Sequence, residues 1–448
     1  MNWYGQHILI LGLGDSGLAA ARWLARRGAD LRVADTSAAP VNLPRLQQAL
    51  PEVAVTTGEF VEADFLWADR IIISPGVPLA HNLIQAAMRR GIAVWGDVEL
   101  FAQALLPTAR VIAITGSNGN STVTSMVAAM CSAAGKKTVM AGNIGLPVLD
   151  ALDDYPETEV FVLELSSFQL ETTYTLNPVA ATVLNISEDH LDRYASLDAY
   201  AATKARIFEV GGVQVLNRDD ARSMAMARKD RSVLTFGLNA GQSDDDFGIS
   251  GGYLCRGKHK LMPVSELPLA GLHNAANALA ALALCQAMGL PEAPLLGALR
   301  QFRGLPHRVE WVATVAGISF YDDSKGTNVG ATEAALKGMD KPVVLIVGGD
   351  GKGQDFTPLA AAVKQSARAV VQIGRDGGLI AAAIAPAEVP VLRAESMEQA
   401  VELAYAQAQP GDAVLLSPAC ASFDMFKNYA HRAEVFIAAV KLIERGAA

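Results

Sequence analysis

Cysteine is scarce in this chain, since Cys131, Cys255, Cys285 and Cys420 are its only four among 448 residues. None of them has a C-x-x-C spacing or a recognisable pairing pattern. This argues against a disulfide framework and is typical of reduced thiols in a cytosolic protein. No motif gives Cys420 a recognisable base, so we expect it to have a structural role rather than to act as a nucleophile.

An excess of positive charge is also absent. The formal net charge is −9, which argues against a broad basic surface for nucleic acid, although placed cations and backbone amides can still hold small anions. The most apolar stretch, residues 275–290, is too short to span a bilayer and is interrupted by Asn277 and Gln286. Residues 1–6 do not resemble a secretion leader. We therefore expect a cytoplasmic protein without membrane insertion.

What the chain does have is the composition of a well-packed globular enzyme. Hydrophobic residues make up 51% of the sequence and charged residues 19%. Its length predicts two to three domains. Apolar runs of strand length, each followed by a polar loop, predict an α/β fold whose parallel sheets have helices on both faces.

The most informative stretch is VIAITGSNGNSTVT at residues 111–124. A β-branched run enters a turn at Gly116 and Gly119 and then a Ser/Thr-rich helix start. Such a turn points N–H groups and a helix N-terminus at an anion, and a following hydroxyl can lie on Mg²⁺. A loop of this kind normally has a lysine for the β/γ-phosphates, but this chain has Asn120 in that place.

The first block of the chain has a second glycine pattern. The apolar run at residues 7–11 is followed by G-x-G-x-x-G at residues 12–17, an amphipathic segment at 18–27 and a strand at 31–34 that ends at Asp35. This predicts a β-α-β unit that binds a nucleotide or phosphosugar at its helix N-terminus. An ordinary tight turn between strand and helix is the alternative.

Candidate catalytic side chains lie in other loops that follow strand-like runs. Glu164 and His190 are candidate Mg²⁺ ligands, although Mg²⁺ rarely takes histidine and hydrogen-bonded loop residues are the alternative. Lys325 and Lys352 each lie near acidic residues. Lys204 lies on a helix-like pattern that by itself is typical of a solvent-exposed lysine.

Taken together, these segments resemble the Mur ligase family over essentially the whole chain. The stretches that carry the resemblance are LELSSFQLETT at 163–173, SEDHLDRY at 187–194, GLPHR at 304–308, DSKGTN at 323–328, GGDGKG at 348–353 and LSPACAS at 416–422. The resemblance implies an α/β fold of three domains. These are a Rossmann-like N-terminal domain (1–98) for a UDP-linked substrate, a central P-loop ATPase-type domain (99–304) and a Rossmann-like C-terminal domain (305–448) for the amino acid.

The family's activity is implied in the same way. ATP would phosphorylate the carboxylate of UDP-N-acetylmuramoyl-L-alanine, and the amine of D-glutamate would attack the resulting acyl phosphate, in peptidoglycan precursor synthesis. Charge develops in both steps, so Mg²⁺ and fixed cations are the expected catalytic groups. We expect the enzyme to be a monomer.

The resemblance also implies roles for individual residues. The UDP-linked substrate would be held by Gly14, Asp35, Thr36, Ser74, Gly76 and Asn143. ATP would be held by Gly116, Ser117, Asn118, Gly119, Asn120, Ser121, Thr122, Asn274, Arg308 and Asp323. The metal ligands would be Ser121, Glu164, His190 and Lys204, the last as a carbamylated lysine. D-glutamate and the acyl phosphate would be positioned by Lys325, Thr327, Lys352, Ser422 and Tyr429, and the catalytic residues would be Lys204, His190, Lys325 and Lys352.

The chain departs from the family pattern at Asn120, because the family loop is G-x-N-G-K-[S/T]. One hypothesis is a weakened or inactive ligase, and another is that a nearby cation such as Lys325 compensates. We also expect Gly326 to loosen its loop. Three alternatives stay open: a catalytically silent nucleotide- or muropeptide-binding protein, a nucleotide-dependent oxidoreductase, and a sister ligase that adds another amino acid.

Overall fold

The structure is a computed structural model that describes residues 2–190, 193–269, 271–339 and 341–447. Leu191 and Asp192 of the SEDHLDRY stretch lie outside the described residues. The chain divides into two compact units. The first comprises Met1–Asn185, Tyr200–Met262 and Ala278–Arg300, and the second comprises Ile186–Ala199, Pro263–Asn277 and Gln301–Ala448. The three domain boundaries expected from the resemblance remain a prediction.

The first sheet has five parallel strands in the order β3-β2-β1-β4-β5. These strands are β1 (His7–Leu11), β2 (Asp30–Asp35), β3 (Ala54–Thr57), β4 (Arg70–Ile73) and β5 (Ala93–Trp95). Strand β1 pairs with both β2 and β4, so the strand order reverses between β1 and β4. Ligands of open α/β sheets bind at the carboxyl ends of strands at such a point.

The second sheet has nine strands in the order β14-β13-β12-β11-β10-β9-β6-β8-β7. They are β6 (Arg110–Thr115), β7 (Thr138–Gly142), β8 (Val160–Glu164), β9 (Ala180–Val183), β10 (Val213–Asn217), β11 (Val233–Phe236), β12 (Asp246–Ser250), β13 (Tyr253–Arg256) and β14 (His259–Pro263). Strands β7 to β12 along this order are parallel, and β13 is antiparallel to β12. The predicted phosphate loop follows β6, a central strand.

The third sheet has six strands in the order β15-β16-β20-β17-β18-β19. They are β15 (Glu310–Val315), β16 (Ile318–Asp322), β17 (Val343–Gly348), β18 (Ala367–Ile373), β19 (Val391–Arg393) and β20 (Ala413–Leu416). All neighbours are parallel except β15, which is antiparallel to β16. Strand β20 lies between β16 and β17, so the loops that follow these three strands leave the sheet side by side.

Helices connect the strands in the described residues. The α-helices are α1 (Asp15–Ala25), α2 (Leu43–Ala49), α3 (Glu62–Trp67), α4 (Asn82–Arg89), α5 (Asp97–Ala104), α6 (Asn120–Ala133), α7 (Val148–Asp154), α8 (Ser167–Leu170), α9 (Leu197–Ala205), α10 (Ala221–Ala225), α11 (Leu272–Ala287), α12 (Glu292–Gln301), α13 (Val329–Gly338), α14 (Leu359–Ser366), α15 (Gly377–Ala383), α16 (Met397–Gln407) and α17 (Tyr429–Ala447). Short 3₁₀ helices are Arg206–Phe208, Val264–Glu266 and Ala385–Ala387. Across the described residues, a helix with the length and apolar character needed to cross a bilayer was not found.

The third sheet shows how the apolar runs build these layers. Successive side chains of a strand point to opposite faces. Val344 and Ile346 of β17 belong to one buried cluster with residues of α16 and α17. Val343, Leu345 and Val347 belong to another, with residues of α13, α14 and α15. Helices therefore cover both faces of this sheet, and the α/β prediction is confirmed.

Helix α1 begins three residues before the predicted segment at 18–27. Gly14 is extended, and Asp15 lies in the first turn, where a negative charge favours the helix N-terminus. The helix ends at Ala25 because Gly28 takes a φ of +78°, which glycine tolerates, and its N–H donates to the Ala25 carbonyl at 3.0 Å. This earlier start brings the helix N-terminus against the loop that follows β1.

We predict that Gly17→Ala destabilises the protein while Gly14→Ala leaves its stability nearly unchanged. A Cβ at position 17 would lie 2.0 Å from the Gly12 carbonyl oxygen, whereas position 14 has no atom within 4 Å among the described residues. Overpacking of this kind typically costs about 1–3 kcal/mol. Chemical denaturation of both variants measures the difference, and equal stabilities would contradict the close approach of β1 and α1.

Candidate functional site

A cavity of 490 Å³ lies where the first sheet reverses its strand order. It is lined by all six residues predicted to hold the UDP-linked substrate, namely Gly14, Asp35, Thr36, Ser74, Gly76 and Asn143. Its volume is within the usual range for small-molecule sites. The structure therefore brings these six residues together, and their role in binding remains a prediction.

Two side chains hold the G-x-G-x-x-G turn at residues 12–17, which lines this cavity. Asp35 accepts a hydrogen bond from the Leu13 N–H at 2.6 Å through one oxygen and from the Ser37 N–H at 2.7 Å through the other. Ser74 donates to the Gly12 carbonyl at 2.9 Å. Asp35 thus orders the loop itself, a use of its carboxylate that the fingerprint alone does not predict.

Sequence reasoning missed Gln169, which also lines the cavity. Gln169 accepts the Ser166 N–H at 3.0 Å, and Ser166 accepts the Gln169 N–H at 3.2 Å, which forms a capping box at the start of α8. The S-x-x-Q spacing of this box was present in the sequence. This spacing indicates the start of a helix, and the capping box at the start of α8 holds Gln169 at the cavity wall.

The phosphate loop lies between β6 and α6. Gly119 has a φ of +86°, and α6 begins at the next residue, so the helix N-terminus directly follows the turn. A Cβ on Gly116 would lie 2.8 Å from the Asn120 Oδ1 atom and 3.0 Å from Leu184. A side chain at position 116 would crowd these atoms, and the N–H groups and helix start of the loop suit a phosphate.

Asn120 folds back into this loop. Its Nδ2 atom donates to the Gly116 carbonyl at 2.8 Å. Its Oδ1 atom is buried and has no hydrogen-bond partner among the described residues. The side chain that replaces the expected lysine therefore braces the loop and supplies no positive charge.

Glu164 and Lys204 lie near this loop within the first unit. Glu164 is 3% exposed and accepts a hydrogen bond from Asn143 Nδ2 at 2.7 Å. Its second oxygen, Oε2, is buried without a partner among the described residues. A buried carboxylate oxygen of this kind is the ligand type that Mg²⁺ prefers, so Glu164 fits a role as a metal ligand.

Lys204 is buried, contrary to the solvent-exposed position that its helix pattern alone predicts. It is 2% exposed, its Nζ atom donates to Thr115 Oγ1 at 3.0 Å, and it lies 4.9 Å from the centre of the Tyr200 ring. Burying an ammonium is costly unless it is paired or chemically changed. Thr115 is the last residue of β6, so this lysine lies at the entrance of the phosphate loop.

The remaining predicted residues belong to the second unit, where Asp189 joins two of them. Asp189 is buried and forms an ion pair with Lys352 Nζ. It also accepts the His190 N–H at 2.9 Å. Burial alone would raise the pKa of Asp189, but the Lys352 ammonium and the His190 side chain bring it below its ordinary value. His190 and Lys352 take φ values of +55° and +53°, so their loops are tightly bent.

Lys325 and Tyr429 form a second group in this unit. The Lys325 ammonium lies 3.9 Å from the centre of the Tyr429 ring, close enough for a cation–π interaction. His307 supports both residues. Its carbonyl accepts the Lys325 N–H at 3.1 Å, its ring meets the Tyr429 ring edge-on, and its Nδ1 atom lies 2.6 Å from Asp322 Oδ2. His307 was not predicted as a site residue, although it lies in the quoted GLPHR stretch.

Asp323 is a buried carboxyl group at the end of β16. Ser417 donates to it at 2.7 Å. Burial raises the pKa of Asp323 to about 7, against the opposing effects of the Ser417 hydrogen bond and the Arg308 charge. The expectation that Gly326 loosens this loop remains a prediction; the position itself is closely packed, because a Cβ there would lie 2.5 Å from Asp323 Oδ2. Glycine therefore fits closely against this carboxyl group.

Three other predicted site residues, together with Cys420, belong to the second unit. The Thr327 N–H donates to the Lys325 carbonyl at 2.9 Å, and the Ser422 carbonyl accepts the Phe426 N–H at 2.8 Å. Asn274 lies near the start of α11, where its Oδ1 atom accepts a hydrogen bond from Asn277 Nδ2 at 3.4 Å. Burial raises the pKa of the Cys420 thiol to about 12, which agrees with a structural role.

Three family models match successive parts of the chain. They are described as Mur ligase MurD-like, N-terminal domain, at residues 6–96, Mur ligase middle domain at 114–285, and Mur ligase, glutamate ligase domain, at 307–420. The chain belongs to the Mur ligase family. Each model covers most of one of the three sheets.

Curated Mur ligases match the chain over nearly its full length. A protein of Methylobacillus flagellatus named "UDP-N-acetylmuramoylalanine--D-glutamate ligase" is 59% identical over 98% of both chains. A protein of Thiobacillus denitrificans with the same name is 58% identical over 98% of this chain and 96% of its own. As a Mur ligase, the chain is an ATP-dependent ligase that forms an amide bond.

Solved Mur ligases share the fold at low identity. The UDP-N-acetylmuramate-alanine ligase of Thermotoga maritima has a TM-score of 0.61 and 18% identity, and covers 97% of this chain and 99% of its own. The MurF ligase of the same organism, in complex with ADP, has a TM-score of 0.60 and 16% identity, and covers 99% and 96%. The silent-protein alternative is not favoured, because the curated relatives are named as ligases.

We predict that the stability of this Mur ligase falls between about pH 4 and pH 7 in part because of Asp323. The folded protein keeps the Asp323 proton up to about pH 7, while the unfolded chain loses it near pH 4. A group of this kind costs up to about 1.4 kcal/mol of unfolding free energy per pH unit in that window. Asp323→Asn should remove this slope.

Thermal unfolding at pH 5, 6, 7 and 8 would measure this effect. The melting temperature of Asp323→Asn relative to the unaltered protein should rise from about pH 5 to about pH 8. A constant difference across this range would show that Asp323 ionises in the folded protein as it does in the unfolded chain.

Proposed function

We propose that this chain adds D-glutamate to UDP-N-acetylmuramoyl-L-alanine, using ATP, in the synthesis of the peptidoglycan precursor. The observation that carries the proposal is the 59% identity over 98% of both chains to a relative named for that reaction. The match of the N-terminal region to a model described as MurD-like supports the same reaction.

The cavity of 490 Å³ is the proposed site of the UDP-linked substrate. Its glycine turn precedes the N-terminus of α1, which favours a pyrophosphate. Asn143 belongs to the same wall and donates to Glu164. We infer that this contact links the substrate's binding to the carboxylate proposed as a metal ligand.

ATP is the proposed occupant of the loop between β6 and α6. The substrate carboxylate would attack the γ-phosphorus, the bond to the ADP oxygen would break, and an acyl phosphate would form. Ser121, Glu164, His190 and carbamylated Lys204 would hold Mg²⁺, which when bound offsets the charge that develops on phosphate oxygens. Asn274, Arg308 and Asp323 are the further proposed ATP contacts.

The amine of D-glutamate would then attack the acyl carbon. A tetrahedral intermediate would form, the proton would leave the amine, and phosphate would depart as the amide forms. Lys325 and Lys352 are fixed cations that suit the charge of this step. The pairing of Lys352 with buried Asp189 and the position of Lys325 over the Tyr429 ring support such a positioning role. Thr327 and Ser422 are the other proposed D-glutamate contacts.

An ADP-release assay tests the proposal. Release should require UDP-N-acetylmuramoyl-L-alanine and increase when D-glutamate is added, and mass spectrometry should detect the amide product. Replacement of D-glutamate by L-lysine or meso-diaminopimelate should abolish the product, since a sister ligase would accept one of them. We also propose a cytoplasmic monomer, and sedimentation of the purified protein at the mass of one chain tests the oligomeric state.

We predict that Asn120→Lys increases the rate of phosphate release by about tenfold to a hundredfold. A hydrogen bond to a charged group contributes about 1.5–3 kcal/mol, and the substitution adds an ammonium where the loop now has a carboxamide. Asn120→Gln is the matched control, because it lengthens the side chain without a charge. An unchanged rate in Asn120→Lys would reject the hypothesis that this ligase is weakened.

We predict that Lys204 is carbamylated when bicarbonate is present. Its neutral amine would add to CO₂ and release a proton, which replaces a buried cation with a carboxylate that can ligate Mg²⁺. A ¹³C carbamate signal should form with labelled bicarbonate and disappear in Lys204→Arg. If the signal persists in that variant, the modified residue is another one.

A further inference from the structure

Asn185 contacts the phosphate loop through three hydrogen bonds. Its Oδ1 atom accepts the Asn118 N–H at 2.8 Å, and its Nδ2 atom donates to the Asn118 carbonyl at 2.9 Å. Its own carbonyl accepts the Ser117 N–H at 2.9 Å. One carboxamide thus bonds both polar groups of the same loop residue, an arrangement named here the Asn185 bridge.

The sheet sets the position of this bridge. Strand β9 pairs with β6 in register, with Val183 opposite Thr115. Asn185 therefore leaves β9 beside the point at which the loop leaves β6. Neighbouring parallel strands hold the two ends at a fixed spacing, so the bridge joins a rigid anchor to a loop that contains Gly116 and Gly119.

The bridge also decides which loop amides face a ligand. The N–H groups of Ser117 and Asn118 both donate to Asn185. A phosphate would then depend on the amides from Gly119 onward, where α6 begins and its first N–H groups have no partner within the helix. In a chain without the loop lysine, the orientation of these amides matters more for binding an anion.

We propose that Asn185 is a positioning residue for nucleotide binding, which acts by holding Asn118 so that the turn at Gly119 presents its amides to the ATP phosphates. The inference rests on the proposed function in that the loop's ligand is ATP. It goes beyond that function because Asn185 acts through the loop backbone and belongs to none of the predicted site residues.

A merely structural role is the competing explanation, and Gln214 provides a matched control for it. Gln214 lies on β10 of the same sheet and bonds the backbone at two points through its own carboxamide. Its Nε2 atom donates to the Met226 carbonyl at 3.0 Å, and its Oε1 atom accepts the Arg228 N–H at 2.7 Å. Gln214 is 1% exposed, so its truncation to alanine also removes a bridge without adding a charge.

The experiment compares Asn185→Ala with Gln214→Ala in the full-length protein. Calorimetry measures the affinity for ATP with Mg²⁺, and hydrogen–deuterium exchange of the ligand-free protein measures the amides of the loop. Asn185→Ala should weaken ATP binding by at least about tenfold and accelerate exchange at Asn118. Gln214→Ala should leave both within twofold, and binding of UDP-N-acetylmuramoyl-L-alanine should be unchanged in either variant. If Asn185→Ala fails to fold, Asn185→Ser is the milder truncation for the same measurements.

Each other outcome overturns the inference. ATP affinity and loop exchange that stay within twofold in Asn185→Ala would show that the bridge is dispensable. Equal losses in Gln214→Ala would show a general effect of destabilisation. Weaker ATP binding with unchanged exchange would exclude action through the loop. Hydrogen–deuterium exchange tests the bridge without any ligand. Failure of the proposed reaction would instead be seen as a missing amide product, so the two failures are distinguishable.

Discussion

The functional loops of this protein depend on close approaches between backbones at the carboxyl ends of parallel strands. A Cβ on Gly17 would lie 2.0 Å from the Gly12 carbonyl oxygen, and a Cβ on Gly142 would lie 2.3 Å from that of Glu164. In the third sheet, a Cβ on Gly348 would lie 1.9 Å from the Ile373 carbonyl oxygen. Because these contacts exclude any side chain, the loops next to them are fixed by their anchors, and the residues they carry have little freedom.

Buried charge is the second feature that organises the chain. Asp189 is paired with Lys352 in the second unit, and Arg432, which is fully buried, donates to the carbonyls of Ser324 and Cys420. Burial lowers the pKa of Arg432 to about 10, so its charge survives at neutral pH. Glu164 differs from these groups because one of its oxygens is buried without a partner among the described residues. A buried carboxylate oxygen without a partner is costly, and a bound cation would remove that cost.

Local patterns explain why much of the fold was predictable from the sequence. The apolar run of β1, the glycines at 116 and 119 and the strand-end position of Glu164 are properties of a few adjacent residues. The burial of Lys204 depends on Thr115, which is 89 positions away, and the Asn185 bridge spans 67 positions. Neither can be read from periodicity, because the pairing of β6 with β9 places Asn185 beside the loop and α9 places Lys204 against the end of β6. Sequence reasoning also missed His307, since its partner Asp322 lies across the β15–β16 hairpin.

These features bear on how a phosphate loop without its lysine can serve a ligase. Its main-chain N–H groups attract the nucleotide, as does the helix N-terminus, which carries roughly half an elementary positive charge. Both act equally before the reaction and during it. An ammonium on a flexible stem can follow the γ-phosphoryl group as charge shifts, and such an interaction strengthens in the transition state. Asn120 cannot do this, because its Nδ2 atom is bonded to the Gly116 carbonyl at 2.8 Å. Under the proposed function, Asn120→Lys should therefore change turnover more than nucleotide affinity, since the groups that hold ATP in this proposal belong largely to the backbone.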